Sequence, residues 1–156
     1  MRTVVEELVY RSCLALDGGD FEAYLGLCAP GFRYTVCAYA PEIKREMVWL
    51  DHDRAGMATL FRNLPRHQSD PSPLTRHATV YTVTFHAAAF DAAGTAATVV
   101  SALQVFRTAL DGGTTALYAV GKLHDTVQVA DGAALLAKRV VRLDTRELGI
   151  GSHIPF

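Results

Sequence analysis

The sequence predicts an α+β fold with helices in its first part and a long antiparallel sheet in its second. Apolar residues recur at helical spacing before residue 28, and β-branched and aromatic residues dominate from Thr75 onward. Asp–Gly turns separate these later segments, as they do in β-hairpins. With 156 residues, 50% hydrophobic and 20% charged, the chain is expected to form one domain over residues 1–156.

Two helices are predicted at the start of the chain. The first has an apolar stripe that consists of Val5, Leu8, Val9, Cys13 and Leu16. Gly18-Gly19 is expected to end this helix, and Asp20 is a suitable N-cap for a second, short one. The second helix carries Phe21, Tyr24, Leu25 and Cys28. Pro30-Gly31 is expected to end it.

Two strands and a third helix are predicted in the middle of the chain. Phe32–Val36 alternates apolar and polar residues, as a half-buried strand does, and Glu46–Leu50 forms a second strand after the break at Pro41. Asp53 is a suitable N-cap for a helix. The apolar residues of that helix are Met57, Leu60, Phe61 and Leu64. The polar segment Pro65–Pro73 is expected to be a loop.

Four long strands are predicted after Thr75. They are Thr79–Phe85, Thr98–Arg107, Thr115–Val129 and Leu135–Leu143. Their expected turns are Asp91–Gly94, Asp111–Gly113 and Asp131-Gly132. Connections this short favour an antiparallel meander. Strands of about ten residues twist and curl, so we expect the helices to cover the concave side of a curved sheet.

Several classes of function are disfavoured by composition. The net charge is −1, from 15 basic and 16 acidic residues, which does not fit the basic surface of a nucleic-acid binder. The nearly apolar stretch Ala96–Phe106 is much shorter than the ~20 residues that span a bilayer. Glu6 and Glu7 lie where a signal peptide would be apolar. We therefore expect a cytoplasmic protein without a nucleic-acid or membrane partner.

No metal or cofactor motif is evident in the sequence. Three cysteines, Cys13, Cys28 and Cys37, lack C-x-x-C spacing, so we expect buried thiols rather than disulfides or thiolate ligands. The chain has no H-E-x-x-H motif, although a site assembled across strands stays open. Its six histidines are His52, His67, His77, His86, His124 and His153. We expect no cofactor and no metal in this chain.

A curled sheet would leave an apolar pocket in which shifted pKa values permit acid–base chemistry. The candidates for such chemistry are Tyr34, Asp51, His52, His77, His124 and Asp125. Alternation along the strand places His77 on the same face as Tyr81 and Phe85, which favours an inward side chain, and places Arg76 on the other face. The simpler interpretation is that Arg76 and His77 are hydrogen-bonded residues at the start of a strand.

Charged residues cluster at two other places in the sequence. Asp51–Arg54 is a helix N-terminus, a subunit contact or half of an acid–base dyad. Four basic residues follow the last turn, and they form either a solvated face or a surface that docks onto an acidic partner. These residues are Lys138, Arg139, Arg142 and Arg146.

The order of these elements resembles the cone-like fold of the nuclear-transport-factor-2 and ketosteroid-isomerase superfamily, which includes isomerases, dehydratases, binding modules and non-catalytic subunits. Several segments are similar in order and spacing to the small (β) subunits of Rieske-type ring-hydroxylating oxygenases. They are Phe32–Tyr34, Tyr39–Ile43, Trp49–Arg54, Leu74–His77, Val80–Val83 and Arg142–Asp144. This chain lacks the second arginine and the later asparagine usual in that family around Arg76-His77, so their contacts are not expected.

The resemblance implies a non-catalytic subunit that supports a Rieske non-haem-iron mono- or dioxygenase of aromatic compound catabolism. It implies that the Rieske [2Fe–2S] cluster and the mononuclear iron lie in a partner large (α) subunit, in an α3β3 assembly with β–β contacts. The implied subunit contacts are Trp49, Asp51, Asp53, Arg54, Arg76 and Arg142. The alternative is a stand-alone, cofactor-free isomerase, dehydratase or small-molecule binder that uses Tyr34, Asp51, His77 and His124.

Overall fold

The computed structural model describes residues 1–67, 71–87, 94–148 and 155–156. Its helices are α1 (Arg2–Asp17), α2 (Phe21–Gly26) and α3 (Arg54–His67). Its strands are β1 (Cys28–Ala40), β2 (Arg45–Asp53), β3 (Leu74–Ala87), β4 (Thr95–Thr108), β5 (Thr115–Ala130) and β6 (Ala133–Leu143). The predicted α+β class is therefore confirmed. Within the described ranges, no helix has both the length and the apolar character needed to cross a membrane.

The strands form one sheet in the order β2-β1-β6-β5-β4-β3. The last four strands make the predicted antiparallel meander. The complete sheet is mixed, because β1 pairs with β6 in parallel, from Arg33–Lys138 to Ala38–Leu143. After β2, the chain passes through α3 to the far edge of the sheet, where β3 begins. The meander from β3 to β6 then crosses back over the sheet, and β6 lies beside β1 and runs in the same direction.

Helix caps and turn residues are found where the sequence predicts them. The carboxylate of Asp20 accepts a hydrogen bond from the Ala23 N–H at 3.0 Å, and that of Asp53 accepts one from the Gly56 N–H at 2.7 Å. Asp131 and Gly132 both have positive φ, as a tight hairpin turn between β5 and β6 requires. Of the predicted turn Asp91–Gly94, residues 91–93 lie outside the described residues.

The ends of two helices differ from the prediction, and several strands are longer than predicted. Helix α2 ends at Gly26, and Cys28, Pro30 and Gly31 belong to β1, where the pairing with β6 is irregular between Cys28 and Arg33. Pro and Gly here mark an irregular strand start rather than the end of a helix. Helix α3 continues through Pro65, which has no N–H to donate to the Phe61 carbonyl, and the helix ends two residues later at His67.

The three helices pack against one side of the sheet, and we call this side the cone interior. The aromatic ring of Phe61 on α3 stacks on Phe21 at 4.3 Å and meets Tyr24 edge-on at 5.7 Å. Phe32 and Tyr34 of β1 are buried beside them. We call the opposite side of the sheet the outer face; no described helix covers it, and its strands expose alternate residues.

Candidate functional site

The most deeply buried charges lie in the cone interior, on the neighbouring strands β5 and β6. Arg139 and Asp125 are 0% and 2% exposed. The guanidinium donates Nε to Asp125 Oδ1 at 2.8 Å, Nη2 to Oδ2 at 2.7 Å and Nη1 to Ser12 Oγ at 2.8 Å. Ser12 in turn donates to the Val9 carbonyl at 2.7 Å. The pair therefore ties the sheet to α1.

Burial lowers the pKa of Arg139, but the charge and hydrogen bonds of Asp125 outweigh burial and hold that pKa well above its ordinary value. The bidentate geometry occupies both carboxylate oxygens of Asp125. This arrangement can hold two elements together, whereas proton exchange would first require the pair to separate.

A second ion pair lies at one end of the cone interior. Arg76 and Asp17 have side chains that are 2% and 18% exposed, and Nη1 meets Oδ1 at 2.7 Å. The Arg76 backbone N–H also donates to the Asp17 carboxylate, at 3.1 and 3.2 Å. Nη2 donates to the Pro155 carbonyl at 2.6 Å. A cavity of about 160 Å³ adjoins this pair and is also lined by Leu16, Phe21, Leu64 and Leu74.

Tyr34 contacts Phe156 inside the same end of the cone. The Phe156 N–H donates to the Tyr34 hydroxyl at 2.8 Å, and that hydroxyl donates to the Phe156 carbonyl at 3.3 Å. The Phe156 side chain is buried, and its ring faces Tyr118 at 6.3 Å with an interplanar angle of 29°. Residues 155 and 156 therefore fill this end of the cone.

Tyr34 and Cys28, two further ionisable groups of the interior, are held in their protonated forms. Burial raises the pKa of Tyr34 to about 12, although the Phe156 backbone hydrogen bond opposes the shift. Burial also raises the pKa of the Cys28 thiol to about 12. At neutral pH, neither group can serve as a base or a thiolate nucleophile without a large rearrangement.

Of the candidates for acid–base chemistry, His52 lies opposite Tyr34 on the neighbouring strand β2, whereas Tyr34, Asp51 and His124 do not share a site. Tyr34 points into the cone, while Asp51 and His124 lie on the outer face opposite Thr35 and Val140. Two strands lie between Asp51 on β2 and His124 on β5, which corresponds to roughly 14 Å at ordinary strand spacing. Among Tyr34, Asp51 and His124, the arrangement offers no pair for a shared proton transfer.

The expected inward orientation of His77 is wrong. His77 is exposed on the outer face, edge-on to Phe106 at 5.5 Å, whereas Arg76 is buried. The pairing of β3 with β4 shifts between Val80 and Thr82, so one residue is inserted at Tyr81. Because this bulge reverses the alternation, Val83 and Phe85 point inward on the same face as Arg76, and His77 points outward.

Arg139 was expected on a solvated strand, and this interpretation is also wrong. It shares the inward face of β6 with Leu136, Val141 and Leu143. Strand alternation with Val141 and Leu143, together with an acid on the inward face of a neighbouring strand, was the signal that could have identified the pair. Leu136 does not follow this alternation, because the pairing of β6 with β5 shifts between Leu136 and Lys138. That signal depends on knowing which strand is the neighbour.

The six implied contact residues divide into two groups. Four are engaged within the chain: Trp49 packs on the core, Asp53 caps α3, Arg54 donates to the Leu25 carbonyl at 3.0 Å, and Arg76 pairs with Asp17. Asp51 and Arg142 lie on the outer face, where they pair with Arg33 and Glu46 at 2.7 and 2.9 Å.

The outer face combines exchangeable ion pairs with apolar side chains. Arg142 and Glu46 remain 55% and 40% exposed in their pair, and Lys122 approaches Asp144 only to 3.9 Å. Burial, followed by the nearby Arg142 and Lys122 charges, lowers the pKa of His124 in the same patch. The strands of the sheet also expose large apolar residues, which are Tyr39, Val48, Tyr81 and Leu117. These features are typical of a protein-contact surface.

Metal-ligating side chains do not gather in the described ranges. Among residues 1–67, 71–87, 94–148 and 155–156, no three His, Cys, Asp or Glu residues are placed to hold an ion. His52 and His67 both line a groove of about 550 Å³ along α3, together with Thr59, Leu60 and Asn63. His153 lies outside the described residues.

Two curated relatives match nearly the whole chain. It is 41% identical to the methanesulfonate monooxygenase hydroxylase subunit beta of Methylosulfonomonas methylovora, over 97% of this chain and 84% of that protein. It is 31% identical to the 2-aminobenzenesulfonate 2,3-dioxygenase subunit beta of an Alcaligenes species, over 97% and 96% of the two chains. No family model matches the sequence.

Solved structures support the fold. A Novosphingobium aromaticivorans protein, assigned as the beta subunit of an aromatic-ring-hydroxylating dioxygenase, superposes with a TM-score of 0.76 at 17% identity, over 99% of this chain and 95% of its own. A ketosteroid isomerase-like protein from Erwinia carotovora atroseptica gives a TM-score of 0.57 at 13% identity, over 92% and 95% of the two chains. The predicted cone-like architecture is thereby confirmed.

Proposed function

The chain belongs to the family of β subunits of ring-hydroxylating oxygenases, whose partner is an α oxygenase subunit, and from this premise we propose that it supports assembly without catalysing a reaction. The observation that carries the proposal is the contrast between its two sheet faces. The cone interior is occupied by core side chains, by Arg139–Asp125 and by Phe156. The outer face retains exposed charges and apolar residues.

The proposal assigns the iron chemistry to the α subunit. A Rieske cluster needs C-x-H and C-x-x-H ligand pairs, and none of the three cysteines of this chain is followed by histidine in that spacing. Cys13, Cys28 and Cys37 are also buried in different elements. The residues present do not fit such a cluster, which supports an α subunit that carries both the cluster and the mononuclear iron.

We further propose that the outer face contacts the α subunit, with Asp51 and Arg142 as members of the contact and Trp49 supporting β2 from behind. Their ion pairs are solvent-exposed, so they can exchange partners on association at little cost. Arg76, Asp53 and Arg54 leave the contact set, because the side chain of each makes a hydrogen bond inside the chain.

The direct test is co-expression with an α subunit of the sulfonate-oxygenase type, followed by measurement of the complex mass by light scattering. We expect co-purification with equal numbers of α and β chains, as the proposed α3β3 assembly requires. A chain that elutes alone beside a folded, iron-loaded α subunit would contradict the proposal.

Charge reversal tests the contact surface itself. Lys122→Glu/Arg142→Glu places two acids at the centre of the outer face and is expected to weaken co-purification strongly while leaving the chain folded. The matched control is Arg11→Glu, an exposed residue of α1 on the helical side. Loss of the complex with the α1 variant, but not with the outer-face variant, would move the contact to the helices.

We propose an organosulfonate as the substrate of the complex. Both curated relatives are named for sulfonates, one aliphatic and one aromatic. Oxygen uptake by the reconstituted complex should therefore respond to methanesulfonate or 2-aminobenzenesulfonate and not to benzoate. Uptake with benzoate alone would contradict this part of the proposal and leave the assembly role untouched. The proposed cellular compartment is the cytoplasm.

A further inference from the structure

The centre of the outer face carries basic side chains and no acidic one. Among the residues of β4, β5 and β6, all of which the structure describes, Asp125 is the one acid, and it points inward to Arg139. The outward basic residues of these strands are Lys122, His124, Lys138 and Arg142. We call these four residues the basic patch. It is central because β6 and β5 lie between β1 and β4 in the sheet.

The register of the sheet places like charges directly beside each other. Lys122 lies opposite Arg142 in the antiparallel pair of β5 and β6. Lys138 lies beside Arg33 in the parallel pair of β6 and β1. Like charges in directly opposite positions destabilise a sheet. The folded chain therefore carries an electrostatic cost at the centre of its outer face.

The acids at the margin of the basic patch compensate it only in part. Glu46 Oε1 lies 2.9 Å from Arg142 Nη1, but the same oxygen also accepts a hydrogen bond from the Cys37 thiol at 3.2 Å. Asp144 approaches Lys122 only to 3.9 Å and remains 68% exposed. Lys138 has no acidic partner within the ranges that the structure describes. The patch thus retains positive charge that an external group can balance.

His124 lies between the two contacts of like charge. Its partner position on β6 is flanked by Lys138 and Arg142, and Lys122 is two positions away on its own strand. The part of β4 that faces it, residues 98–102, contains no titratable residue. A proton on His124 would therefore add a further positive charge among three cations.

We propose that an acidic segment of the α subunit covers the basic patch and places carboxylates against Lys122, Lys138 and Arg142. This proposal rests on the assembly role proposed above and adds the chemistry of the partner surface. Opposite charge across the contact relieves the repulsion within the sheet, whereas an apolar surface would bury these charges without compensation. A second copy of this chain, docked symmetrically through the same patch, would bring like charges together.

Protonation of His124 follows from this arrangement. In the free chain, burial and then the charge of Arg142 hold the pKa of His124 below its ordinary value, although Asp125 opposes them. Carboxylates of the partner would raise that pKa in the complex. The affinity that His124 contributes is then present below the pKa of the free chain and lost as pH rises through the pKa of the complex. An apolar partner would bury the imidazole further and give the opposite sign.

The experiment is a calorimetric titration of the full chain with a folded α subunit of the sulfonate-oxygenase type. We expect binding at least ~3-fold tighter at about pH 6 than at about pH 8, with net uptake of protons on association. His124→Gln should lose this pH dependence. The matched control is His67→Gln, which replaces an exposed histidine of α3 on the helical side and should retain it.

Three results would overturn the acidic contact while leaving the assembly role intact, since a complex forms in each. They are equal affinity at both pH values, weaker binding on acidification, and a pH dependence that persists in His124→Gln. The chain alone should keep one mass by light scattering at both pH values, and a dimer that forms through the patch would assign it to a second copy instead. Failure of the two subunits to associate at either pH would contradict the assembly role as well.

Discussion

The two faces of the sheet use charged residues in opposite ways. In the cone interior, Arg139 and Asp125 are almost completely buried. The guanidinium makes two hydrogen bonds to the Asp125 carboxylate and a third to Ser12. On the outer face, Arg142 and Glu46 are half exposed and meet through one short contact. Both ion pairs use an arginine of β6, yet the surroundings of the two arginines differ.

Burial decides what each pair can do. A buried pair cannot lose one partner without leaving an uncompensated charge in a medium of low polarity, so it fixes the structure. An exposed pair is solvated whether or not it is intact, so it can be replaced by contacts to another protein. The interior of this chain is therefore a structural region, and its outer face is the region suited to assembly.

The largest expected effect comes from breaking the interior pair. Arg139→Met leaves the Asp125 carboxylate buried and unpaired, and we expect a loss of ~3–5 kcal/mol in the free energy of unfolding. Arg142→Met on the outer face is the matched control and should lose less than ~1 kcal/mol, because its pair is exposed. Urea unfolding of both variants measures the difference. Equal losses would abolish the distinction between the two faces.

A double variant separates charge burial from packing. Arg139→Met/Asp125→Leu removes both charges and keeps apolar volume, so it should recover much of the stability that Arg139→Met loses. No recovery would mean that the guanidinium contact to Ser12, which links β6 to α1 at 2.8 Å, contributes more than the ion pair.

A smaller loss of stability is expected from a substitution at Gly121, where the backbone of β6 lies close to β5. A Cβ added at Gly121 on β5 would meet the Arg142 carbonyl oxygen and lie 2.9 Å from Leu143 Cα, both backbone atoms of β6. Gly121→Ala should therefore lower the free energy of unfolding by ~1–3 kcal/mol. Gly26→Ala has no atom within 4 Å of the added Cβ and is the control. If Gly121→Ala left the free energy of unfolding unchanged, β5 and β6 could move apart at this position without cost.

The sequence predicted those parts of the fold that depend on neighbours along the chain. The apolar stripe of α1, the caps Asp20 and Asp53, and the turn at Asp131-Gly132 are all local, and each formed as expected. The parallel contact between β1 and β6 is not local, because Arg33 and Lys138 are brought together only by the complete path of the chain.

The candidate site was predicted less well for a related reason. A single inserted residue at Tyr81 reverses which side chains of β3 point inward, and alternation alone cannot locate such a bulge. Arg139 seemed solvated because its partner Asp125 lies 14 positions away on another strand. The contact of Phe156 with Tyr34 spans 122 positions, and no periodicity in the sequence points to it.

The smallest expected effect concerns pH on the outer face. Burial and the charges of Arg142 and Lys122 hold the pKa of His124 below its ordinary value of 6.5, so the folded chain favours the neutral imidazole. The stability that His124 contributes is present above the ordinary pKa and is lost as pH falls through the lower, folded-state pKa. Urea unfolding at about pH 7.5 and about pH 5 should therefore show a smaller loss on acidification in His124→Gln than in the unaltered chain.

Arg142→Met refines this last prediction. Because Arg142 is the largest of the charge effects on His124, ahead of the opposing effect of Asp125, its removal should raise the pKa of the imidazole, and an NMR titration of His124 measures the shift directly. Arg139→Met, on the other face of the sheet, provides the comparison in the same titration. If the pKa of His124 did not change in Arg142→Met, burial alone would set it, and the outer-face charges would act independently of one another.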